Sequence, residues 1–577
     1  MRIVRNLSSE HGEREGEAPA ALPREGATGY PLAGVPGIEK RERGYAMKEG
    51  RRSGWIFGTL LAMLCVAALA GAVLAAEPKY GGTLRIGVRV QQELNMDVRY
   101  LHTVTTVPAA DMVYDRLFNW GDKGFAGLIP NIATGYETKD NRVWTIKLRR
   151  GVKFHNGREM TADDVKANFD WRIATPKGWK PVKHMDLLQG MKKVDVVDKY
   201  TVRVTFDKPF SSFMRNLAWV IRGIVPPEEV EKWGDQFAFH PCGTGPYKVV
   251  EVKPNEKYVL ERFDGYWGPK PYIDRIEYIY YRADEPRLVA LEKGELDFAQ
   301  LYDEAKPTVQ KNPKLALKDL YDPSILHKLY FNMRRWPGND IRFRKAVWMG
   351  ADWKSIAINA YAFKSGNPAR TFLEYSKYFN AEALKLVPPY NPEEAKKLIQ
   401  AVEKDAGKKI PPILWVDAAM PANQNLAEMA KAQLAQINVP LNLMILSPAL
   451  WQDKIVRDPK MEWDMGGYGL GFALDPSVGF TIFETNSGTA PDGKSLGGYS
   501  NPEFDGWIRK AEAAKSEEER ARTFQEAEKV LIKDAAAIPL WPQRYVYVWN
   551  KKLQGVQVTD VCSINVTNSW ANMWLEQ

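Results

Sequence analysis

No signature of catalysis runs through these 577 residues. GxSxG, HExxH, the phosphate-binding GxxxxGKS/T loop and CxxC are all missing, so elbow hydrolases, zincins, P-loop enzymes and dithiol oxidoreductases lose their usual carriers. Cysteine is scarce, with only Cys65, Cys242 and Cys562, which excludes a disulfide framework. Five of the six histidines (His102, His155, His184, His240 and His327) stand far apart in the chain without metal-ligand spacing. No metal and no cofactor are therefore expected. A dense basic stripe is lacking as well: the net charge of +9 is scattered, which supports solubility and gives no footprint for nucleic acid. Internal repeats and long flexible linkers are also absent. What remains is an ordinary globular composition, 45% hydrophobic and 26% charged, long enough for two or three domains. Nineteen tryptophans and twenty-five tyrosines are generous; most belong to cores, and some suit the wall of a broad cleft.

The one long apolar run lies near the N-terminus. Residues 1–46 are polar and rich in Glu, Arg, Gly and Pro, so they are expected to be disordered, or an upstream segment ahead of the true start at Met47. Residues 47–76 have the layout of a signal peptide: Lys48, Arg51 and Arg52, an uncharged stretch over 55–73, then Val73-Leu74-Ala75-Ala76. A stretch of about 20 apolar residues also reaches across a bilayer, so a retained anchor is the rival; the small-residue exit points to cleavage. Cys65 follows Met63-Leu64, which are too large for a lipobox. The exported chain keeps Cys242 and Cys562, either bridged or two buried thiols.

The most informative stretch is 240–299. Gly243, Gly245 and Pro246 mark a tight turn, followed by strand-like runs at 247–252 and 258–263. A strand over 273–282, a short helix over 285–293 and a strand over 296–299 predict a βαβ unit with parallel strands. Elsewhere, 143–148 alternates as a half-buried strand. Thr161 is placed to cap a helix whose first turn carries Asp163 and Asp164 and whose face carries Val165, Phe169 and Ile173. Asn391, Asn501 and Ser516 open further helices. Helices are expected over 109–118 and 340–360, and extended chain over 317–333 and 538–550. His155 beside Asn156-Gly157 reads as a turn histidine.

GTGPY, ERFDGYWG, YIDRI and R-x-x-A-L-x-x-G-E-L-D follow one another in order, and GVKFHNGREMTADDVKANFDWR precedes them. This ordered set closely resembles the family 5 extracellular solute-binding proteins, the peptide- and nickel-type receptors of bacterial ABC importers, over nearly all of 76–577. The resemblance implies an α/β, two-lobe periplasmic binding protein fold of type II, in its large form with an extra subdomain. Lobe I is then expected over 77–325 with the subdomain at about 114–240, lobe II over 326–543, and a return to lobe I over 544–577. It implies a periplasmic, monomeric receptor whose partners are a small solute or oligopeptide and the importer's permease subunits, and which does no chemistry. A non-peptide ligand such as an oligosaccharide or nickel chelate, and a periplasmic hydrolase on the same scaffold, are the alternatives.

The glycine-rich run 466–480, GGYGLGFALDPSVGF, is the best functional stretch, because glycines in extended chain admit a close ligand or a close backbone. Candidate ligand-binding residues are Tyr468, Gly469, Gly471, Phe472 and Asp475, with Thr103 and Thr105 from a cleft-facing loop. Peptide receptors of the resembling family place an aspartate four residues before the D/E-P proline to meet a peptide's ammonium. Here that position is Phe472, which points away from free-N-terminus peptides and towards an apolar, glycan-like or modified ligand.

Overall fold

The computed structural model describes residues 3–5, 77–89, 95–100, 107–120, 127–179, 188, 190–221, 223–301, 305–360, 368–470, 475–558 and 570–576. Its main sheet has ten strands, in the order Leu441–Leu446, Ile413–Ala418, Met465–Leu470, Leu315–Phe331, Ala537–Asn550, Phe298–Leu301, Thr83–Arg89, Arg275–Tyr281, Lys257–Arg262 and Tyr247–Lys253. The βαβ unit sits in its middle. Arg275–Tyr281 and Phe298–Leu301 both run parallel to Thr83–Arg89, one on each side, and the helix Asp284–Lys293 connects them. Gly294, at φ +77°, ends that helix in the left-handed conformation glycine reaches most cheaply.

Two large apolar cores flank this sheet. One gathers Ile86, Val202, Phe213 and Tyr278; the other gathers Leu329, Trp415, Met465 and Phe524. The long antiparallel pair Leu315–Phe331 and Ala537–Asn550 carries residues of both: Leu320 belongs to the first core and Leu326 to the second. The ladder breaks register between those two residues, and again between His327 and Lys328, where Pro542 and Pro539 stand opposite. Proline donates nothing to a ladder, so this pair is weakest where it passes from one core to the other. That is the natural place to bend.

A second antiparallel sheet, ordered Ala133–Thr138, Val143–Leu148, Thr201–Phe206 and Met191–Asp198, adds to the first core. Ile3–Arg5 pairs along its outer edge, a difference from the wholly unstructured 1–46 expected from composition. An open edge strand accepts any short β-prone segment, and Ile-Val-Arg is one. The remainder of 1–46, and the apolar run at 55–73, lie outside the described residues. No helix among the described residues is long and apolar enough to cross a membrane.

Local capping follows the sequence. Asn391, Asn501 and Ser516 each accept a backbone N–H from the first turn they open, and Thr161 with Asp164 forms a capping box. Two helices differ from expectation. The expected 340–360 helix is divided into Ile341–Gly350 and Trp353–Ala360, with Asp352 receiving Ser355 N–H and starting the second. The expected 109–118 helix is Val107–Val113, because Asp115 is drawn into a buried network described below. Cys242 is a free, buried thiol, pushed up to about 12 by burial; Cys562 lies outside the described residues.

Candidate functional site

The motif residues brace the fold before any of them can serve a ligand. Asp115 is buried and receives Trp267 Nε1–H at 2.8 Å, the Thr244 hydroxyl at 3.1 Å and Asn131 Nδ2–H at 3.3 Å. Burial raises its carboxyl to about 6 against the pull of those donors. One side chain thus ties the YDRL, GTGPY and DGYWG segments together. His155 completes the brace. Its Nδ1 accepts from Gly243 N–H at 3.3 Å and its Nε2 lies 3.0 Å from the Gly245 carbonyl, a pairing that assigns the proton to Nε2. Burial lowers the imidazole to about 4, so it stays neutral at physiological pH. It is a turn histidine, as its neighbours implied.

The candidate strand Met465–Leu470 lies between Ile413–Ala418 and the crossing strand Leu315–Phe331. Its glycines answer different neighbours. A Cβ on Gly466 would come within 2.9 Å of the Val416 carbonyl, and one on Gly467 within 2.6 Å of the Asp417 carboxylate. Asp417 is itself buried, held by Trp415 Nε1–H, Ala418 N–H and Asn423 Nδ2–H, and raised to about 6 by burial. These two glycines therefore serve close strand packing. Gly469 is different: it faces His327, whose ring would sit 3.0 Å from an added Cβ.

His327 in turn stacks on Trp541, with ring centroids 5.1 Å apart and planes at 17°. One ring comes from each crossing strand, at the register break between the two cores. Sequence reading passed over both residues, since His327 lacks ligand spacing and Trp541 lies in an ordinary strand-like run. The signal would have been their register across two strands more than 200 positions apart. Beside them, Lys328 stands opposite Tyr468 in the ladder; its Nζ donates to the Leu326 carbonyl at 2.9 Å, and burial holds the amine well below its ordinary range.

Asp475 takes a position that sequence alone did not reveal. It is buried, caps the short helix Pro476–Phe480 through Ser477 N–H, and receives both guanidinium nitrogens of Arg520 at 2.6 and 2.8 Å. Burial pushes this carboxyl up, but Arg520 and Arg215 outweigh that and hold it below the usual range. Both of its oxygens are engaged inside the protein. Thr103, Thr105, Gly471 and Phe472 lie outside the described residues, and of Tyr468 the backbone pairing alone is described. Among the described residues no group of three or more His, Cys, Asp or Glu side chains is arranged to hold a metal ion.

Residues 127–491, more than half the chain, match the family model for bacterial extracellular solute-binding proteins, family 5 middle. The glutathione-binding protein GsiB of Pectobacterium atrosepticum is 29% identical over 468 residues, taking in 78% of this chain and 86% of GsiB. Among solved structures, the periplasmic binding protein DppA from Helicobacter pylori, in complex with the peptide STSA, is similar with a TM-score of 0.75 at 22% identity, over 86% of this chain and 99% of its own. NikZ from Campylobacter jejuni, in complex with Ni(L-His), gives 0.74 at 22% identity, over 85% and 99%. At that identity the likeness shows the fold: two α/β lobes of the type II periplasmic binding arrangement.

Proposed function

The chain belongs to the family 5 bacterial extracellular solute-binding proteins, the substrate-binding components of ABC importers, and we propose that it captures a small peptide-like solute at the crossing strands. The observation that carries this reading is the His327–Trp541 stack lying against Gly469. Because Gly469 carries no side chain, the half-buried His327 ring seats directly on the strand and stacks on the buried Trp541. This half-buried ring, with the nearby backbone groups, is what the site offers to a ligand. Tyr468 on the same strand completes the proposed lining, with Gly471, Phe472, Thr103 and Thr105 as the candidates that the sequence adds.

Phe472 in place of an acid argues against recognition through a free α-ammonium. Solutes whose amine is blocked, or whose α-ammonium is set off from the peptide backbone by a side-chain linkage, suit the site better, and the likeness to a glutathione-binding protein favours the second kind. The protein acts as a monomer in the periplasm, hands its solute to permease subunits and returns it chemically unchanged. Nucleic acid is no partner.

Isothermal calorimetry tests this with glutathione, a panel of di- to pentapeptides, and the same peptides N-acetylated. His327→Ala is expected to weaken the best of these at least tenfold, roughly the value of one aromatic contact, while the melting temperature stays nearly constant. Nanomolar binding of ordinary peptides that vanishes on acetylation would overturn the ligand assignment. Full affinity in His327→Ala would remove the aromatic platform from it.

A further inference from the structure

The two cores meet at a second place, apart from the crossing strands. Phe213, Met214 and Leu217 of the helix Phe213–Val220 belong to the first core, whereas Ala511 and Phe524, on the helices Pro502–Ala513 and Glu517–Lys533, belong to the second. Between them lies a buried polar contact. Ser211 donates its N–H to the Glu512 carbonyl at 3.0 Å and its hydroxyl to the Ala511 carbonyl at 3.0 Å. Ser212 donates its N–H and hydroxyl to the two Glu512 carboxylate oxygens, at 3.0 and 2.6 Å. Arg520 donates back to the Ser211 and Ser212 hydroxyls, at 3.3 and 2.5 Å. Arg215 reaches Glu517 at 2.8 Å and Asp475 at 3.4 Å, and the Ser477 hydroxyl meets Asn216 at 3.3 Å.

Ser212, Asn216, Asp475, Ser477 and Arg520 are all almost fully buried. Opening the lobes at this point would hydrate them, whereas keeping them together requires that each find a partner, and each does. Buried hydrogen-bonded charge is favourable only when so completed; the arrangement is costly if loosely made and specific if fully made. The short helix Pro476–Phe480 makes the contact mechanical. Its Val478 packs in the first core and its Phe480 in the second, and Asp475, which caps it, stands five residues beyond Leu470, where the candidate strand ends.

We propose that Ser211, Ser212 and Arg215 of the first core, closing on Glu512, Asp475 and Arg520 of the second, form a latch that holds the lobes together before any solute arrives. They are positioning residues. Asp475, a ligand candidate from the sequence, has both oxygens engaged by Arg520 and Ser477. The others have no ligand contact proposed, and the latch rests on contacts between the lobes rather than on the ligand reading above. It sets the resting balance between open and closed forms, against which the solute's own contacts add.

The test needs no ligand, so its failure is distinct from a failure of the proposed binding function. Spin labels are placed at Val250 in the first lobe and Leu450 in the second, both largely exposed, at 45% and 58%. Pulsed dipolar spectroscopy then reads the distance distribution in the ligand-free protein. The wild type is expected to give a dominant short distance. Ser211→Ala/Ser212→Ala removes the hydroxyl bonds that cross the contact, and should lower the short population at least tenfold while each lobe keeps its fold by circular dichroism. Ser212→Asp, which sets a carboxylate against Glu512 and Asp475, should abolish it. Glu512→Gln, which keeps the side-chain shape and one acceptor oxygen, should lie between. An unchanged distribution in folded Ser211→Ala/Ser212→Ala and Glu512→Gln would overturn the latch, as would a ligand-free wild type that shows only the long distance.

Discussion

Arg520→Ala is expected to cost the protein about 3–5 kcal/mol, the usual penalty for stripping one partner from a buried ion pair. The Arg520 side chain is 2% exposed and that of Asp475 fully buried, and the guanidinium is the only group that engages both carboxylate oxygens at hydrogen-bond distance among the described residues. Its loss leaves Asp475 with Ser477 and with Arg215 at 3.4 Å, too little to offset burial. It also removes a donor from the Tyr378 hydroxyl, 2.9 Å away, and the planar group that lies 4.6 Å over the Phe524 ring. For a lobe of this size the melting temperature should fall on the order of 10 °C. Arg520→Met combined with Asp475→Leu should recover most of the loss, because an apolar pair avoids the desolvation that an orphaned charge suffers. Thermal unfolding of the two variants beside the wild type checks this. A single substitution that shifts the melting point by under 2 °C would mean that Asp475 is hydrated, and would return it to the set of possible ligand contacts.

Gly245→Ala is expected to be as damaging, for a steric reason. A Cβ there would lie 2.6 Å from the Met112 carbonyl oxygen and the Val113 carbonyl carbon, and 2.8 Å from the Tyr114 nitrogen. All three are backbone atoms, so no side chain can swing aside. The strand turn and the end of the Val107–Val113 helix would have to separate, breaking the 2.9 Å bond from Gly245 N–H to the Val113 carbonyl and loosening His155. Overpacking of this kind costs about 1–3 kcal/mol and more where backbone is struck; a value at or above the upper end is predicted, with poor soluble yield. Gly506→Ala is the matched opposite. Gly506 lies inside the helix Pro502–Ala513, and an added Cβ meets nothing closer than Arg509 at 3.8 Å. It should gain about 0.5–1 kcal/mol from helix propensity. The same change at two glycines thus has opposite signs, and denaturant midpoints measure both. Tolerance of Gly245→Ala would show that the turn has room the geometry denies.

These two sites show what the sequence disclosed and what it hid. Turn chemistry, caps and periodicity are local, so Gly243, Gly245, Asn391, Asn501, Ser516 and the βαβ unit could be read from neighbouring residues alone. The family motifs were legible for the same reason, and the structure explains their spacing: Asp115, His155, Thr244 and Trp267 join segments of the fold. Asp475 was misleading at that level, since a carboxylate beside a proline at a strand end reads equally as ligand contact or helix cap. Its partner Arg520 lies 45 residues on, and nothing in the intervening chain announces the pairing. The end of the Val107–Val113 helix was hidden likewise, because the bonds that draw Asp115 out of it come from residues 131, 244 and 267. Long-range register hid the His327–Trp541 stack.

A chain of this family is expected to shut around one small solute and release it unaltered. Native mass spectrometry of the purified protein, incubated with a periplasmic extract of small metabolites and then denatured, tests this directly. One added molecule per chain, recovered at the same mass it had in the extract, is the predicted result. A released species of altered mass, or no adduct at any extract concentration, would contradict it.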